Sequence, residues 1–298
     1  MNRATKRNAP GDGIVNALSV DVEEWFQVGA FEGAMAREDW RKLAPRVERN
    51  TDVLLDMAER AGVRMTFFTL GWIAERHGSL IRRLVDAGHE LASHGYDHRR
   101  VFTMTPEEFR LDLGKSRDLL EQAGGTAVQG YRAPSFSIDT RTPWAHSILA
   151  EQGYRYSSSV APVVHDHYGW PEAPRFPFRP LADAGLIEWP VTTARLLGRT
   201  VPVGGGFFRL LPYSLSRRAL RQLNGKDGRA AILYFHPWEI DADQPRVTKA
   251  SLRSKLRHYT NLSRMEAKLG RLIDDFRWDR VGALVDDQAR DAPCWPVR

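Results

Sequence analysis

Apolar runs of strand length alternate with segments of helical periodicity along this chain, and that alternation restricts it to folds built on a parallel sheet. The runs at 14–20, 63–70, 89–93, 128–131, 154–158, 186–191 and 230–235 read as strands. Between them, 47–61, 72–87, 105–123, 143–152, 213–223 and 252–273 carry helical spacing. Gly62, Gly88 and Gly124 stand where helices should stop, and Thr105-Pro106-Glu107-Glu108 is a capping box that should start one. Residues 160–185 are Pro-rich and irregular, and no internal repeat is present. A unit repeated this often predicts an α/β barrel or an open doubly wound sheet.

The polar residues narrow this further. Asp21, Glu23, His94, His98, Arg132 and His236 all follow directly on predicted strands. In a parallel α/β fold those strand ends share one face, where active sites form.

The length of 298 residues and 42% hydrophobic content suit a single domain of barrel size. The organisation expected is a flexible tail over 1–13, one catalytic domain over 14–285 and a polar tail over 286–298. The net charge of +6 is spread over arginine-rich helix faces (82–83, 217–218, 253–257) that read as solvated, with no nucleic-acid recognition motif. Weak attraction to anionic glycans, or peripheral association with an anionic membrane surface, stays open. The one cysteine, Cys294, excludes an internal disulfide and a thiolate metal site. The polar N-terminus lacks a signal peptide's apolar segment, and no run reaches the ~18 apolar residues of a membrane span, so a cytoplasmic location is expected. Oligomeric state is not legible.

Gly95 argues against a regular helix through His94 and His98, which therefore belong to a loop. Two imidazoles and a carboxylate leave an open position on a divalent metal, the arrangement in which Zn²⁺ holds a hydrolytic water. Such chemistry needs a carboxylate to take the water proton and an acid to protonate the leaving group. Asp21-Val22-Glu23 offers one base and one ligand, and His236 an acid of suitable intrinsic pKa.

Five segments in order, Ser19-Val20-Asp21-Val22-Glu23-Glu24, Ser93-His94-Gly95-Tyr96-Asp97-His98, Tyr131-Arg132-Ala133-Pro134-Ser135-Phe136, Tyr154-Arg155-Tyr156-Ser157-Ser158 and Tyr234-Phe235-His236-Pro237-Trp238-Glu239, resemble the polysaccharide deacetylase family, the carbohydrate esterases that share the NodB homology domain. Within it the chain looks like the subgroup encoded with bacterial exopolysaccharide and protein-sorting loci. The resemblance implies an irregular, incomplete (β/α) barrel and a metal-dependent N-deacetylase acting on amino sugars of a polysaccharide, with one divalent ion, Zn²⁺ by preference.

It also implies roles. Asp21 matches the catalytic base, Arg132 the arginine that pairs with the base, and His236 the catalytic acid. His94 and His98 match the metal-binding histidines. Phe136 matches an aromatic residue lining the groove, and backbone N–H groups near Ser135 match a site for the oxyanion. Two positions depart from the pattern. Asp21-Val22-Glu23 replaces adjacent aspartates, so Glu23 is assigned as the carboxylate ligand with Glu24 as the alternative. Ser157 stands where relatives carry an Asp that supports the histidine, which leaves Glu239 as candidate partner of His236 by proximity. Tyr131, Trp238 and Trp189 are further candidates to stack on sugar rings. Two other readings remain: an amidohydrolase for a cyclic amide or ureide, and a glycan-binding relative without activity.

Overall fold

A computed structural model describes residues 13–164, 168–196 and 199–296. The tail expected over 1–13 falls outside them, apart from Gly13. The strands are β1 (Val15–Val22), β2 (Thr66–Thr69), β3 (Glu90–Ser93), β4 (Gly130–Tyr131), β5 (Tyr156–Ser157), β6 (Ile187–Glu188), an antiparallel hairpin of β7 (Thr193–Leu196) and β8 (Arg199–Pro202), then β9 (Ile232–Phe235) and β10 (Arg277–Asp279). The helices are α1 (Val47–Ala61), α2 (Gly71–Arg76), α3 (Gly78–Asp86), α4 (Pro106–Gly124), α5 (Ala145–Glu151), α6 (Gly205–Leu210), α7 (Tyr213–Gly225), α8 (Leu252–Tyr259), α9 (Leu262–Asp275) and α10 (Val281–Gln288).

Eight strands form one parallel sheet in the order β10-β1-β2-β3-β4-β5-β6, with β9 also paired to β1. Ala17 pairs with both Asp279 and Ile232, and Ser19 with both Thr66 and Tyr234. β9 therefore runs along the edge of β1 opposite β10 and β2. No ladder joins β6 to β9 among the described residues. The segment after β6 bridges that gap: Ile232 N–H donates to Thr192 Oγ1 (2.7 Å), and Val203 N–H to the Thr192 carbonyl (3.0 Å). The expected irregular, incomplete barrel is the observed fold.

The two-residue period of the strands sorts their side chains. Leu18, Val20, Phe67, Leu91, Leu233 and Phe235 face the surrounding helices. Ala17, Phe68, Ala92, Tyr156, Ile187 and Ile232 fill the interior, closed by Val281, Leu284 and Val285 of α10. Burying each large apolar side chain stabilises the fold by roughly 1.5–3 kcal/mol. Gly130 is required by this interior, because a Cβ there would lie 2.1 Å from the Tyr156 ring.

Several expectations are corrected. The helix expected over 72–87 breaks at His77, whose Nδ1 pairs with Glu48 at 2.7 Å. The helix expected over 252–273 breaks at Asn261, which takes a left-handed conformation (φ 63°). The strand at 128–131 shortens to two residues. Within the tail expected over 286–298, α10 extends to Gln288. Trp295 packs against Trp170 and Phe178, with ring centroids 5.1 and 5.3 Å away, and its N–H donates to the Arg179 carbonyl (2.9 Å). Among the described residues no helix is long and apolar enough to cross a membrane.

Candidate functional site

The interior face of β1 continues through Ser19 to Asp21 and Glu23, and the interior faces of β3, β4 and β9 continue to His94, Arg132 and His236. The period that fills the barrel with Ala17, Ala92 and Ile232 thus delivers these polar groups to its carboxyl end. There Asp21, Glu23, His94 and His236 line a cleft of about 420 Å³ together with His98, Phe136, Tyr234 and Trp238, and Arg132 is bonded to Asp21.

Glu23, His94 and His98 each aim one ligand atom at a common point, all within 4.8 Å of one another. The His94 Nδ1–H donates to the Arg132 carbonyl (2.8 Å), which leaves the Nε2 lone pair toward the cluster. Burial pushes His94 down to about 4, against the pull of Asp21, so the ring is neutral near pH 7 and able to ligate. Glu23 Oε1 accepts from Trp238 Nε1 (3.0 Å). Its other oxygen, Oε2, is buried without a hydrogen bond, although His98 Nε2 lies 2.9 Å away. Burial would raise the Glu23 carboxyl, but His98, His236 and His94 outweigh it and hold it at about 2. A buried carboxylate oxygen and two imidazole nitrogens converging on one point fit a divalent cation.

Arg132 is buried with its guanidinium 4.0 Å from the Phe68 ring centroid. Its Nη1 donates to Asp21 Oδ1 (2.6 Å) and Ser19 Oγ (2.8 Å), while Nε and Nη2 donate to Ser158 O (3.2 Å) and Oγ (3.1 Å). The free Asp21 oxygen, Oδ2, faces His236 Nε2 at 4.0 Å.

His236 Nδ1 bonds Glu239 Oε1 (2.8 Å), and Glu239 Oε2 accepts from the buried Arg209 (2.8 Å). The ring stacks on Trp238 (centroids 5.0 Å), which stacks in turn on His258 (4.2 Å). Burial alone would lower His236, but Glu23, Glu239 and Asp21 outweigh it and raise it to about 9. The imidazole therefore holds a proton on Nε2 at neutral pH.

Backbone strain concentrates here. Among the described residues, His98, Ser135, Phe136 and Asn261 are the non-glycine positions with positive φ, and the first three line the cleft. Such conformations cost on the order of 1–3 kcal/mol each and persist where the surroundings over-determine them. At His98 the turn brings the ring back to Glu23. The Phe136 N–H is committed to the Ala133 carbonyl (3.0 Å). Gly205 (φ +53°) lies against Tyr234, where a Cβ would meet the phenol at 2.6 Å.

The structure brings together Asp21, Glu23, His94, His98, Arg132, Phe136, His236 and Trp238. It does not bring Tyr131 or Trp189 to the cleft. Tyr131 alternates with Arg132 and so packs outward on Phe109 and Tyr154, and Trp189 lies in the barrel interior. Glu24 points away from the ligands and accepts from the Arg46 and Val47 N–H groups at the start of α1. Ser157 bonds Ser159 (2.8 Å), not His236. Sequence reasoning missed Arg209, His258, Tyr234 and Ser158. The signal for Arg209 was a lone charge in the apolar stretch Gly205–Leu210.

Comparison with known proteins agrees with this architecture. Residues 42–157 match the family profile described as "Polysaccharide deacetylase", and residues 158–286 match one described as "Domain of unknown function (DUF3473)". A Helicobacter pylori peptidoglycan deacetylase is 28% identical over 150 residues, 49% of this chain and 50% of that protein. A Bacillus cereus peptidoglycan-N-acetylglucosamine deacetylase is 29% identical over 96 residues, 32% of this chain and 35% of that protein. The chain thus spans half or less of these curated relatives. A solved Mycobacterium smegmatis structure, named as a candidate polysaccharide deacetylase, shares the fold with a TM-score of 0.66 at 19% identity, covering 98% of both chains. A Bacillus anthracis pseudoenzyme of carbohydrate esterase family 4 shares it with a TM-score of 0.50 at 13% identity, covering 94% of this chain and 66% of that one. The fold alone therefore does not decide activity.

Proposed function

We propose that this chain, whose residues 42–157 match the polysaccharide deacetylase profile, hydrolyses N-acetyl amide bonds of amino sugars in a polysaccharide, with one divalent ion, Zn²⁺ by preference, held by Glu23, His94 and His98. The observation that carries this is the ligand cluster flanked by Asp21 with Arg132 on one side and His236 with Glu239 on the other. When bound, the cation polarises an acetyl carbonyl and acidifies a water.

The chain's own groups do the rest. Arg132 fixes Asp21 through Oδ1, so that Oδ2 is the oxygen left to take the water proton. His236, protonated on Nε2, gives its proton to the amine nitrogen as the C–N bond breaks, leaving acetate and a free amine. Glu239 fixes the ring through Nδ1, and the Trp238 stack holds its plane. Phe136 and the edge of Trp238, whose faces are stacked on His236 and His258, offer apolar surface to a sugar ring. The strained Ser135-Phe136 turn is the place to look for backbone donors to the oxyanion.

The substrate is proposed to be a bacterial exopolysaccharide or its precursor. Acetate release from N-acetylglucosamine oligomers of increasing length, with and without chelator, tests the reading. Release that rises with length and stops on chelation is expected. Turnover of cyclic ureides with no acetate from any glycan would overturn it.

A further inference from the structure

Glu188 of β6 and His146 of α5 are both fully buried, and neither lines the cleft. His146 Nε2 lies 3.1 Å from Glu188 Oε2, while His146 Nδ1 is buried without a hydrogen bond. A buried carboxylate is costly unless hydrogen bonds replace its water. Burial would raise the Glu188 carboxyl, but His146, Ser157 and Val160 outweigh it and hold it below its ordinary range.

This carboxylate holds the chain just past β5. The ladder between β5 and β6 ends at Ser157 and Glu188. Beyond it the Ser159 and Val160 N–H groups both donate to Glu188 Oε1 (2.8 and 2.9 Å), so a side chain supplies the acceptor that a longer ladder would supply. The two-residue period sorts the side chains of this stretch. Ser157 Oγ bonds Ser159 Oγ (2.8 Å), and Ser158 between them turns to Arg132. Ser158 accepts from Arg132 Nε through its carbonyl (3.2 Å) and from Nη2 through its Oγ (3.1 Å). Ser159 Oγ accepts from the Ala133 N–H (2.9 Å). A guanidinium group is planar, so fixing Nε and Nη2 fixes where Nη1 points, and Nη1 meets Asp21.

We infer that Glu188, backed by His146, is a positioning residue for the proposed base: by fixing residues 158–160 it sets the plane of the Arg132 guanidinium against Asp21. Glu188 acts only through Ser158, Ser159 and Arg132. The inference rests on the reading above in taking Asp21 as the base.

Two readouts on the full-length protein test it, and one does not depend on turnover. Glu188→Ala removes the acceptor for both N–H groups. Glu188→Gln keeps the shape and one acceptor oxygen, but its amide N–H₂ would face His146 Nε2. The ring would then have to carry its hydrogen on Nδ1, which has no partner. With N-acetylglucosamine oligomers, Glu188→Ala should lower kcat by about 10- to 100-fold and leave KM within about twofold, because a misplaced base slows the chemistry without loosening the sugar. Glu188→Gln should show the same split at smaller size, and both variants should keep their metal. In an Arg132→Met background either change should lower kcat by less than about twofold more, because residues that act through one group are not additive. The second readout is hydrogen exchange at Arg132 Nε–H, followed by NMR in protein labelled at arginine Nε and assigned by its loss in Arg132→Lys. Exchange should be slow in the wild type and about tenfold or more faster in Glu188→Gln.

Wild-type kcat and wild-type exchange in both Glu188 variants overturn the inference. So does a change in KM alone, or a loss of kcat that adds in full to that of Arg132→Met. If Glu188→Ala does not fold, Glu188→Gln decides by the same readouts. A wild type that releases no acetate from any glycan removes the deacetylase reading. Arg132 exchange then decides this one: faster exchange in Glu188→Gln keeps the positioning role, and unchanged exchange removes it.

Discussion

The two halves of the sheet build their parts of the site by different means. In the half that ends at Ser157, each group sits on a strand or within a few residues of its end and is held mostly by neighbouring strand ends, although Trp238 reaches Glu23 from the other half. His94 bonds a backbone carbonyl of the neighbouring strand segment, and Arg132 spans from Asp21 to Ser158. In the half beyond it, His236 is fixed by a chain of side chains from separate elements: Glu239, then Arg209 of α6, with the Trp238–His258 stack of α8 behind. The boundary between the two family profiles falls between Ser157 and Ser158, yet β5 pairs with β6 across it. The profiles divide one sheet, and the cleft needs both halves. The proposed cation site is built mainly from strand ends, whereas the proposed acid and the rim depend on long-range packing.

The largest effect is expected where the first half holds the ion. His94→Ala/His98→Ala should purify without metal and release acetate at background rate, as checked by elemental analysis and the deacetylation assay. Glu23→Gln should also lose metal, whereas Glu24→Gln should keep it and lose no more than about 1 kcal/mol of stability from a weakened cap on α1. Metal loss in Glu24→Gln but not in Glu23→Gln would reverse the carboxylate assignment.

Next come the proton-transfer groups, one from each half. Asp21→Asn and His236→Ala should each retain metal and lower kcat by roughly 10²–10⁴. A His236→Ala protein with near-normal turnover would confine the chemistry to the first half.

A smaller, pH-dependent effect is expected for Glu239→Gln. His236 is raised to about 9 against burial by Glu23, Glu239 and Asp21. With an ion neutralising Glu23, only the part of that rise due to Glu239 and Asp21 remains. His236 must be protonated to act, so activity falls as pH climbs through its pKa. Removing the Glu239 charge lowers that pKa, and the basic limb of the kcat profile should move to lower pH. The same sign governs stability: the interaction is fully present below the ordinary histidine range and is lost as pH rises toward 9. Buried Arg209 would be left without its carboxylate, at a cost of about 3–5 kcal/mol, and Arg209→Met/Glu239→Gln should recover part of it. A basic limb that stays in place in both variants would remove Glu239 from the positioning of His236.

The sequence made the first half legible because its signals are local. Strand-end placement and the spacing of Asp21, Glu23, His94 and His98 are short-range facts, and parallel topology puts them on one face. Whether Glu23 or Glu24 faces inward was not legible, since it depends on the strand period continuing past Val22 and on α1 arriving beside Glu24. The partner of His236 lay three residues away and was visible only as proximity. Arg209 and His258 were invisible as site residues because α6 and α8 reach the cleft through tertiary packing alone. Trp295 was hidden behind the polar run at 286–291 that precedes it.

The smallest effect is expected at Tyr131, and it tests whether the strand period alone sorts site from core. Tyr131 and Arg132 are neighbours in chain, yet Arg132 touches Asp21 while Tyr131 packs on Phe109 and Tyr154 at 5.7 Å in each case. Phe136 lies on the cleft side, 4.8 Å from Tyr234 and 5.9 Å from Tyr168. Tyr131→Phe keeps the ring and its volume, a kind of core change usually costing below ~1.5 kcal/mol. It should leave kcat/KM on oligosaccharides within about twofold and shift only thermal stability. Phe136→Leu should instead raise KM, most for the longer oligomers, because it removes a flat apolar surface from the groove. If Tyr131→Phe raised KM with chain length as Phe136→Leu does, Tyr131 would have to reach the sugar. The outward face of β4 would then be part of the binding surface, and the alternation that places Asp21, His94 and His236 in this cleft would fail at that strand.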